Sequence, residues 1–552
     1  MRLALIFVAT AVFGQTQIDW NTQIKNKPTV ESSDYVWYRT NGIGASGNLT
    51  ASGSGKVITL TPGPAGVTTA TPVWIAEGTG TAEAVTPSAT TCSAAAATTR
   101  CTITVTTANT HTGAWKASTA TGGIMEARAA NSGATVISLP KGATLSTHSR
   151  VLLTGGPLVI QGNGATIQAD LGVTPVIQAG TTSVLADRIW LRDLTIERAA
   201  GTIPAGSIGV LWQWYSYCGH DNVRITRHAI GEKLANFENP GQGSLGFTSS
   251  NSQIDLSTEA YLVGENAIGV YWTGGHFGIN AGGTDDAPTY GMIVSGLADT
   301  WVFSGVEMIP RGTPIPTALI SFQAYTGTNG VFTFDHCNIE RWNGLVHSDA
   351  DTPLVNELQI SDSRMALGDV NWFALNAATH LINFQLNDSK IFGKLNLTNP
   401  EWSRIKGNFI TSAAATITGG ADASLVFADN TVVVAYTFTG AWQALSLTGN
   451  TWINSAPTIT ATGAVNGSLQ ISDNTGNTGP QIANTLGATS FMGGSTLFSV
   501  AHALLAGYAP SNGTVILCPD CQASDTIVPG SSCVSGGAGA LAVRLNGAWK
   551  CY

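Results

Sequence analysis

The chain has 552 residues, of which only 11% are charged, and its formal net charge is −9 at pH 7. Ordinary soluble proteins carry about 25% charged residues, so this composition, with 64 glycines, favours a turn-rich and strand-rich extracellular type of protein. The acidic balance excludes nucleic acid as the expected partner, because binding phosphates needs a basic surface. After the N-terminus the sequence has no apolar stretch long enough for a transmembrane helix.

The first fourteen residues have the three parts of a secretory signal peptide. Arg2 supplies a positive charge, Leu3 to Phe13 forms an apolar core of eleven residues, and the small Gly14 precedes a cut at Gln15. The alternative is a buried N-terminal strand or helix. The signal peptide predicts secretion to the exterior or the cell surface, where oxidised cysteines are the expectation.

Residues 15–130 are predicted to form an N-terminal β-rich module. Ile18 to Pro28 (IDWNTQIKNKP) resembles a short segment near the start of phage tail-fibre and related bacterial surface proteins. Cys92 and Cys101 are nine residues apart and flank an Ala/Thr loop, so we expect a hairpin disulfide between them. Cys101 to Ala130 resembles the module that precedes β-helices in many secreted and phage-like proteins.

A family resemblance lies at the start of the next region. Ala129 to Ile167 contains GATVISLPKG and GNGATI, and it resembles the opening coils of the pectate-lyase-like superfamily, tailspikes included. The resemblance implies a right-handed parallel β-helix that binds a polysaccharide. It also implies cleavage of that polysaccharide, by a glycoside hydrolase or a polysaccharide lyase reaction. Because tailspike relatives are trimers, it also implies a homotrimer. The paired-Asp, Gly-His-Gly and Arg-x-Lys elements of polygalacturonases do not occur in that order, which leaves a non-catalytic adhesin or a structural solenoid as the alternative.

The stretch Leu158 to Gly476 repeats one eight-position pattern with apolar residues at positions one, three and eight. Its fifth positions, 19 to 31 residues apart, are Gly162, Asp193, Asn222, Asn251, Gly274, Gly305, His336, Asp362, Asp388, Gly407, Asp429, Gly449 and Asp473. Alternation predicts strands, the fifth residue predicts a tight turn, and such a period is typical of stacked repeats. We therefore predict an all-β parallel β-helix of about 13 coils over residues 131–476, with its core supplied by stacking.

The repeat also predicts which side chains share a surface, because equivalent positions of successive coils stack about 4.8 Å apart. Positions one, three and eight should point inward, and positions two, four and seven should face solvent. His276 and Glu307 then lie on consecutive coils of the seventh column, and Asp335 lies in the fourth column of the next coil. Asp285 and Asp286 lie in a long connection that predicts a protruding loop.

Carbohydrate chemistry makes these residues candidates. Hydrolysis needs two carboxylates about 5 to 9.5 Å apart, and a lyase needs a base and a cation, often with Ca²⁺, beside a uronate carboxyl. The predicted catalytic residues are Glu307, His276, Asp335, Asp285 and Asp286. The alternative is that they are solvated polar residues of a solenoid surface. Calcium could also bind at His347 to Asp351, where two carboxylates offer oxygen ligands, although a solvated loop is the simpler interpretation and no cofactor is otherwise expected.

Outward polar and aromatic positions predict contacts with a polysaccharide, because aromatic rings offer flat platforms for sugar rings. The predicted substrate-binding residues are Trp190, Tyr271, Arg224, Asn338 and Arg364. A further aromatic cluster precedes one coil. Alternation places Trp212 and Trp214 on one face and Tyr215 and Tyr217 on the other, and one of these faces should be buried.

Beyond residue 476 the repeat ends, so residues 477–512 are predicted to be a linker or cap and residues 513–552 a cysteine-rich β module. Asn546-Gly547 between two strand-like segments predicts a hairpin. The C-x2-C of Cys518 and Cys521 could begin a zinc site, but the later spacings of 12 and 18 residues fit no standard zinc ribbon. We expect two disulfides, and among the three pairings we favour Cys518–Cys551 with Cys521–Cys533.

Overall fold

The computed structural model describes residues 29–40, 45–47, 49–133, 135–235, 244–278, 287–323, 329–348, 355–368, 372–374, 383–411, 414–420, 422–453, 457–460, 468–472, 474–476, 481–483, 490–493, 505, 515–518, 520–524, 530–537 and 539–552. They form two compact units, Met1–Glu259 and Ala260–Tyr552, here called the first and second unit. The predicted signal peptide lies outside the described residues, and the predicted domain limits stay predictions. None of the described helices has the length and apolarity needed to cross a membrane.

The first unit begins with two four-stranded sheets in which the paired strands are antiparallel. In sheet order, one contains Tyr38–Thr40, Thr112–Thr119, Val73–Thr79 and Glu83–Val85, and the other contains Ala45–Gly47, Gly53–Leu60, Cys101–Thr107 and Ala89–Thr90. Alternating apolar residues such as Ile58, Leu60 and Ile103 are fully buried in their shared core. The predicted disulfide between Cys92 and Cys101 is confirmed, and it closes the loop that precedes a core strand.

Two short helices accompany these sheets, a 3-10 helix at Ser32–Tyr35 and an α-helix at Ile124–Ala130. Glu126, in the first turn of the α-helix, is completely buried. Thr121 Oγ1 donates a hydrogen bond to Glu126 Oε2 at 2.7 Å, whereas Oε1 has no partner among the described residues. Burial disfavours the charged carboxylate and raises the pKa of Glu126 to about 7.

This buried acid predicts a pH-dependent stability. Because the folded-state pKa lies above the unfolded value, its contribution is fully present below about pH 4.5 and is lost as pH rises through about pH 7. The wild type should therefore lose up to about 3 kcal/mol of its free energy of unfolding between pH 5 and pH 8, and Glu126→Gln should not show this loss. Thermal unfolding across this pH range checks it, with exposed Glu31→Gln as the control. Parallel pH profiles for the wild type and Glu126→Gln would contradict the expectation.

The rest of the first unit is a stack of parallel coils. One sheet of the stack contains Thr29–Glu31, Val136–Ser138, Thr144–Thr147, Leu158–Ala169, Ala186–Asp187, Ile189–Arg198, Tyr215–Thr226, Ser244–Ser250 and Gln253–Asp255. A second sheet contains Val151–Leu153, Ile177–Ala179, Ile208–Gln213 and Ile230–Ala235. Each strand pairs in parallel with its equivalent one coil later, for example Leu191 with His220.

The second unit continues the same construction. Its first parallel sheet contains Ala267–Thr273, His276–Phe277, Asp299–Ser304, Glu307–Met308, Asn329–Asp335, Asn338–Glu340, Val355–Ser361, Arg364–Ala366, Phe384–Asn387, Lys390–Ile391, Ser403–Lys406, Phe409–Ile410, Ser424–Ala428, Thr431–Val432, Ala444–Thr448, Thr451–Trp452, Ser468–Ser472, Thr475–Gly476 and Ser490–Gly493. This sheet is called the ladder sheet below. A second contains Ala260–Glu265, Tyr290–Ser295, Ala318–Phe322, Gly344–Ser348 and Phe373–Ala374, and a third contains Leu397–Thr398, Ala415–Gly419, Tyr436–Gly440, Thr458–Thr460 and Gln481–Ala483.

The predicted parallel β-helix is thus confirmed, and so is the inward assignment of positions one, three and eight. The outward assignment of positions two and four is wrong at Val159 and Ala428, which are buried. Described residues at positions one, three and eight are buried, as Phe332, Phe334 and Ile339 show on one coil. The fifth residue adopts a left-handed conformation, for example φ 53° at His336 and 49° at Asp362. The right-handed sense of the coils stays a prediction that agrees with the handedness of parallel crossovers.

One copy of the repeat was placed wrongly. In Leu158–Ala169 the left-handed residues are Asn163 and Gly164, and the pairing register shifts between Gln161 and Ala165. Ala165 consequently pairs with Leu194, a sixth-position residue. The extra residues form a bulge, which a pattern of residue types does not distinguish from a regular strand.

Position six carries a feature that the sequence pattern hid. Asn408, Asn430 and Asn450 are buried on successive coils and continue to Asn474. Each side-chain Nδ2 donates to the next Oδ1, at 3.0 Å from Asn408 to Asn430 and again from Asn430 to Asn450. Each Nδ2 also donates to a backbone carbonyl, and each Oδ1 from Asn430 to Asn474 accepts the backbone N–H of the preceding asparagine. This asparagine ladder leaves no amide unsatisfied among these buried residues.

The C-terminal module is a five-stranded sheet with the order Val515–Cys518, Ala540–Leu545, Ala548–Cys551, Ser531–Ser535 and Cys521–Ala523. The hairpin at Asn546-Gly547 is confirmed, since both residues have positive φ, 48° and 79°.

The favoured disulfide pairing of this module is wrong. Cys518 bonds Cys521 and Cys533 bonds Cys551. Cys518 ends one strand and Cys521 begins the next, and their Cα atoms lie 5.2 Å apart. Cys533 and Cys551 lie on paired strands with their Cα atoms 4.9 Å apart. Proximity along the chain sets the first bond, and the pairing of the strands Ser531–Ser535 and Ala548–Cys551 sets the second.

Candidate functional site

The predicted seventh column is an outward ladder in the second unit. His276 pairs with Glu307, Glu307 with Asn338, Asn338 with Arg364, and Arg364 with Lys390. Parallel strands place such residues about 4.8 Å apart. Glu307, Arg364 and Lys390 are exposed, and His276 and Asn338 are half-buried. The strands therefore hold two acceptor-bearing, two cationic and one imidazole side chain in one row.

The side chain of Arg364, in this ladder, is oriented by three contacts. Its Nη1 donates to Asn338 Oδ1 at 3.3 Å, and it forms an ion pair with Glu340. Its guanidinium carbon lies 5.2 Å from the centre of the Phe392 ring. These contacts orient the guanidinium, and its planar fork has further N–H donors for a carboxylate or hydroxyl.

Asp335 lies beside the ladder at a coil corner, where it contacts a residue that the sequence pattern treated only as a turn. His336 Nδ1 is 2.9 Å from Asp335 Oδ2, and Ser361 Oγ donates to Asp335 Oδ1 at 2.8 Å. Partial burial raises the pKa of Asp335, but the hydrogen bonds from His336 and Ser361 outweigh it and lower the pKa overall. The same hydrogen bond, with the charges of Asp335 and Asp362, raises the pKa of His336.

Asp335, His336 and Asp362 form a compact cluster, with one ligand atom of each within 4.8 Å of the others. Two carboxylates beside an imidazole can hold a divalent cation, although water would have to supply most of the ligands that calcium takes. The low pKa of Asp335 suits a base or nucleophile better than an acid. The signal that could have found the cluster is stacking, because His336 and Asp362 are fifth-position residues of neighbouring coils.

Tyr271 is a half-buried residue of the second column in the second unit, paired in register with Val302. Burial and the charge of Asp299 raise the pKa of its hydroxyl. Tyr271 is thus partly exposed, as its place in the second column predicts.

The two remaining predicted binding residues belong to the first unit and already have partners. Trp190 packs on Val136 and Val159, and the guanidinium carbon of Arg192 lies 5.7 Å from the centre of its ring. Arg224 donates through Nε and Nη2 to the buried carboxylate of Asp255, at 3.1 and 2.9 Å. Both contacts stabilise the fold and occupy these two side chains.

The prediction for the aromatic cluster is partly wrong. Trp212 and Tyr215 are buried, whereas Tyr217 is exposed and Trp214 half-buried. The chain turns at Trp214 and again at Tyr217, where φ is 48° and 51°. Each left-handed residue shifts the alternation by one, so a strict period of two assigns the wrong faces.

Four predicted residues lie outside the described part of the chain. They are Asp285 and Asp286, and the two carboxylates of the calcium candidate, Asp349 and Asp351. His347, which is described, packs its ring 5.2 Å from that of Tyr290.

No family model matches the chain, and no curated protein matches it. Among solved structures, the chain is similar to the Dettilon tailspike protein, with 11% identity over 77% of this chain and 73% of that one, at a TM-score of 0.34. It is also similar to the catalytic domain of a GH87 α-1,3-glucanase, with 12% identity, 81% and 91% coverage and a TM-score of 0.36. The A-module of the Azotobacter vinelandii mannuronan C-5 epimerase AlgE6 has 12% identity, 65% and 95% coverage and a TM-score of 0.26.

Proposed function

We propose that the protein binds a polysaccharide along the outward face of the ladder sheet. The supporting observation is the periodic row from His276 to Lys390, in which hydrogen-bonding groups repeat coil after coil. A polymer presents its own hydroxyl or carboxylate groups at regular intervals, so a repeating row of donors and acceptors suits it better than a single small molecule. The proposal needs no catalysis and is therefore compatible with an adhesin.

Removing one cation of the ladder should weaken this binding. Lys390→Gln should lower the affinity for the bound polysaccharide about tenfold, since one charge-assisted hydrogen bond contributes roughly 1.5–3 kcal/mol. Affinity electrophoresis against a panel of acidic and neutral polysaccharides measures it. Lys141→Gln is the matched control, because Lys141 is an equally exposed lysine of the first unit. Equal affinities of the two variants, or no binding to any member of the panel, would contradict the proposal.

A second candidate function is cleavage, favoured by the cluster of Asp335, His336 and Asp362. Its two carboxylates and imidazole lie within 4.8 Å of one another, close to the carboxyl separation of about 5 Å in retaining glycosidases. Asp335, with its lowered pKa, would act as the base or nucleophile, and His336, with its raised pKa, would supply a proton or a positive charge. Glu307 and His276 of the ladder are the alternative pair.

An assay of reducing ends and of the ultraviolet absorbance of unsaturated uronates tests cleavage. We expect new ends that disappear in Asp335→Asn but persist in Lys141→Gln. If the new ends disappear only in Glu307→Gln, the reaction takes place at the ladder. If they persist in both Asp335→Asn and Glu307→Gln, Asp285 and Asp286 are the remaining candidates. Binding without new ends would identify a non-catalytic adhesin.

We further propose that the protein functions outside the cytoplasm. Three disulfides lie among the described residues, and such bonds persist in oxidising environments. Export by the predicted signal peptide and assembly into a homotrimer belong to the same hypothesis.

A further inference from the structure

The most exposed large apolar side chain among the described residues is Trp402, with 67% of its surface accessible. It occupies a coil corner immediately before the strand Ser403–Lys406, and its φ is 48°. A bulky residue in the left-handed region is a conformational outlier. Neither burial nor local geometry therefore explains why a tryptophan stands here.

The same corner is built with glycine elsewhere in the chain. Gly246 and Gly269 also stand immediately before the first inward residue of a coil, and their φ values are 70° and 69°. Glycine adopts this conformation without steric cost. Arg188, Tyr217 and Thr300 also occupy this corner, with φ of 53°, 51° and 55°. The corner therefore accepts several residue types, and the fold does not require Trp402.

Two cations follow Trp402 on its coil, and their side chains lie on one face of the strand. Along Ser403–Lys406, Ser403 and Ile405 are buried, and Arg404 and Lys406 point outward. Residues two apart on a strand lie on one face, roughly 6.6 Å apart. Lys406 Nζ is 3.6 Å from Asp429 Oδ2.

Arg404 is the uncompensated charge of this surface. It is exposed, and among the described residues its guanidinium has no hydrogen bond or ion pair. Its neighbours on the adjoining coils are Gln385 and Val426. The outward second column here reads Thr333, Gln359, Gln385, Arg404, Val426, Ser446 and Gln470. No carboxylate stands among these described positions of the column, so the exposed guanidinium of Arg404 can take an anionic ligand here.

We propose that Trp402, Arg404 and Lys406 form a binding subsite for a carboxylate-bearing sugar residue of a polysaccharide. The sugar ring stacks on the exposed indole, which offers a flat apolar face with little ordering cost. The carboxylate binds the guanidinium of Arg404, whose planar fork matches it in a bidentate geometry. This subsite rests on the proposed polysaccharide binding and adds to it a location and a chemical class of ligand.

The test compares oligomers of galacturonate, mannuronate and glucuronate with their carboxyl-reduced forms, using calorimetry on the full chain. We expect the wild type to bind at least one acidic oligomer about tenfold more tightly than its reduced form, and Arg404→Gln to abolish that difference. Trp402→Gly should weaken both forms at least tenfold. Its thermal midpoint should be equal to or above that of the wild type, because glycine suits the corner.

Thr300→Gly is the matched control, since Thr300 has a φ of 55° at the same corner of another coil but no exposed indole. It should leave binding unchanged. Tight binding of neutral polysaccharides alone would overturn the subsite while leaving the proposed function intact, and binding of no polysaccharide would overturn both. Three results for Trp402→Gly would also contradict the subsite. Unchanged affinity would show that the indole has no sugar ligand, and a lowered thermal midpoint would show that it packs in the fold. A wild-type dimer that the variant abolishes would show that the indole contacts a second copy.

Discussion

Asn430→Leu should lower the free energy of unfolding by about 3–5 kcal/mol, one of the two largest effects that the structure predicts. Asn430 is buried, and its side chain takes part in four hydrogen bonds of the asparagine ladder. Its Nδ2 donates to Ile405 O and Asn450 Oδ1, and its Oδ1 accepts the backbone N–H and the Nδ2 of Asn408. Leucine has a similar volume but satisfies none of these groups, and a buried unsatisfied group costs about 1–3 kcal/mol.

Urea unfolding of the purified chain measures this effect. Thr451→Ala is a suitable control, because Thr451 lies on a neighbouring coil but is exposed, and its hydroxyl lies 3.2 Å from that of Thr475. The control should change the free energy by less than about 0.5 kcal/mol. If Asn430→Leu lowers the free energy of unfolding by less than about 1 kcal/mol, the coils relax or admit water. The asparagine ladder is then not a major source of stability.

Glu232→Leu should destabilise the first unit by about 3–5 kcal/mol. His220 and Glu232 are completely buried, and His220 Nε2 lies 3.0 and 3.2 Å from the two carboxylate oxygens. Trp212 Nε1 donates to Glu232 Oε1 at 2.5 Å. The substitution therefore removes the carboxylate that both His220 Nε2 and the indole N–H of Trp212 contact in the core.

A double-mutant cycle with His220→Leu separates this pair from simple packing. If the imidazole and carboxylate stabilise each other, the double variant should lose less free energy of unfolding than the two single variants lose together. The reason is that the double variant leaves neither polar group of the pair isolated in the core. His220 Nδ1 also contacts Ser252 Oγ at 2.8 Å, so Ser252→Ala measures the smaller remaining contact. Additive losses in the cycle would contradict the coupling.

The sequence predicted the features that depend on residues close together along the chain. Whether Phe334 points inward and Glu307 outward follows from a period of two, and the spacing of the corners at Asp362 and Asp388 predicts which side chains stack. The hairpin at Asn546-Gly547 and the disulfide between Cys92 and Cys101 are equally local. Each of these features is set by the backbone preference of a few neighbouring residues.

Other features depend on contacts between coils, and the sequence misplaced or missed them. A left-handed residue at Trp214 reverses the faces that alternation assigns, and a bulge at Asn163 shifts the register. Asp335, His336 and Asp362 form one cluster only because neighbouring corners stack, and Arg224 is held by Asp255 one coil away. No local pattern distinguishes a side chain that meets such a partner from one that meets water.

The amino-acid sequence by itself determined that this chain is a stack of short parallel strands with a known inward face, since repetition and alternation are properties of the chain alone. The tertiary structure decided which cysteines pair, which asparagines form a ladder, and which charges remain without a partner. The physical reason is that these outcomes depend on distances across coils, where sheet order and small shifts of register determine whether two polar groups come within hydrogen-bonding distance.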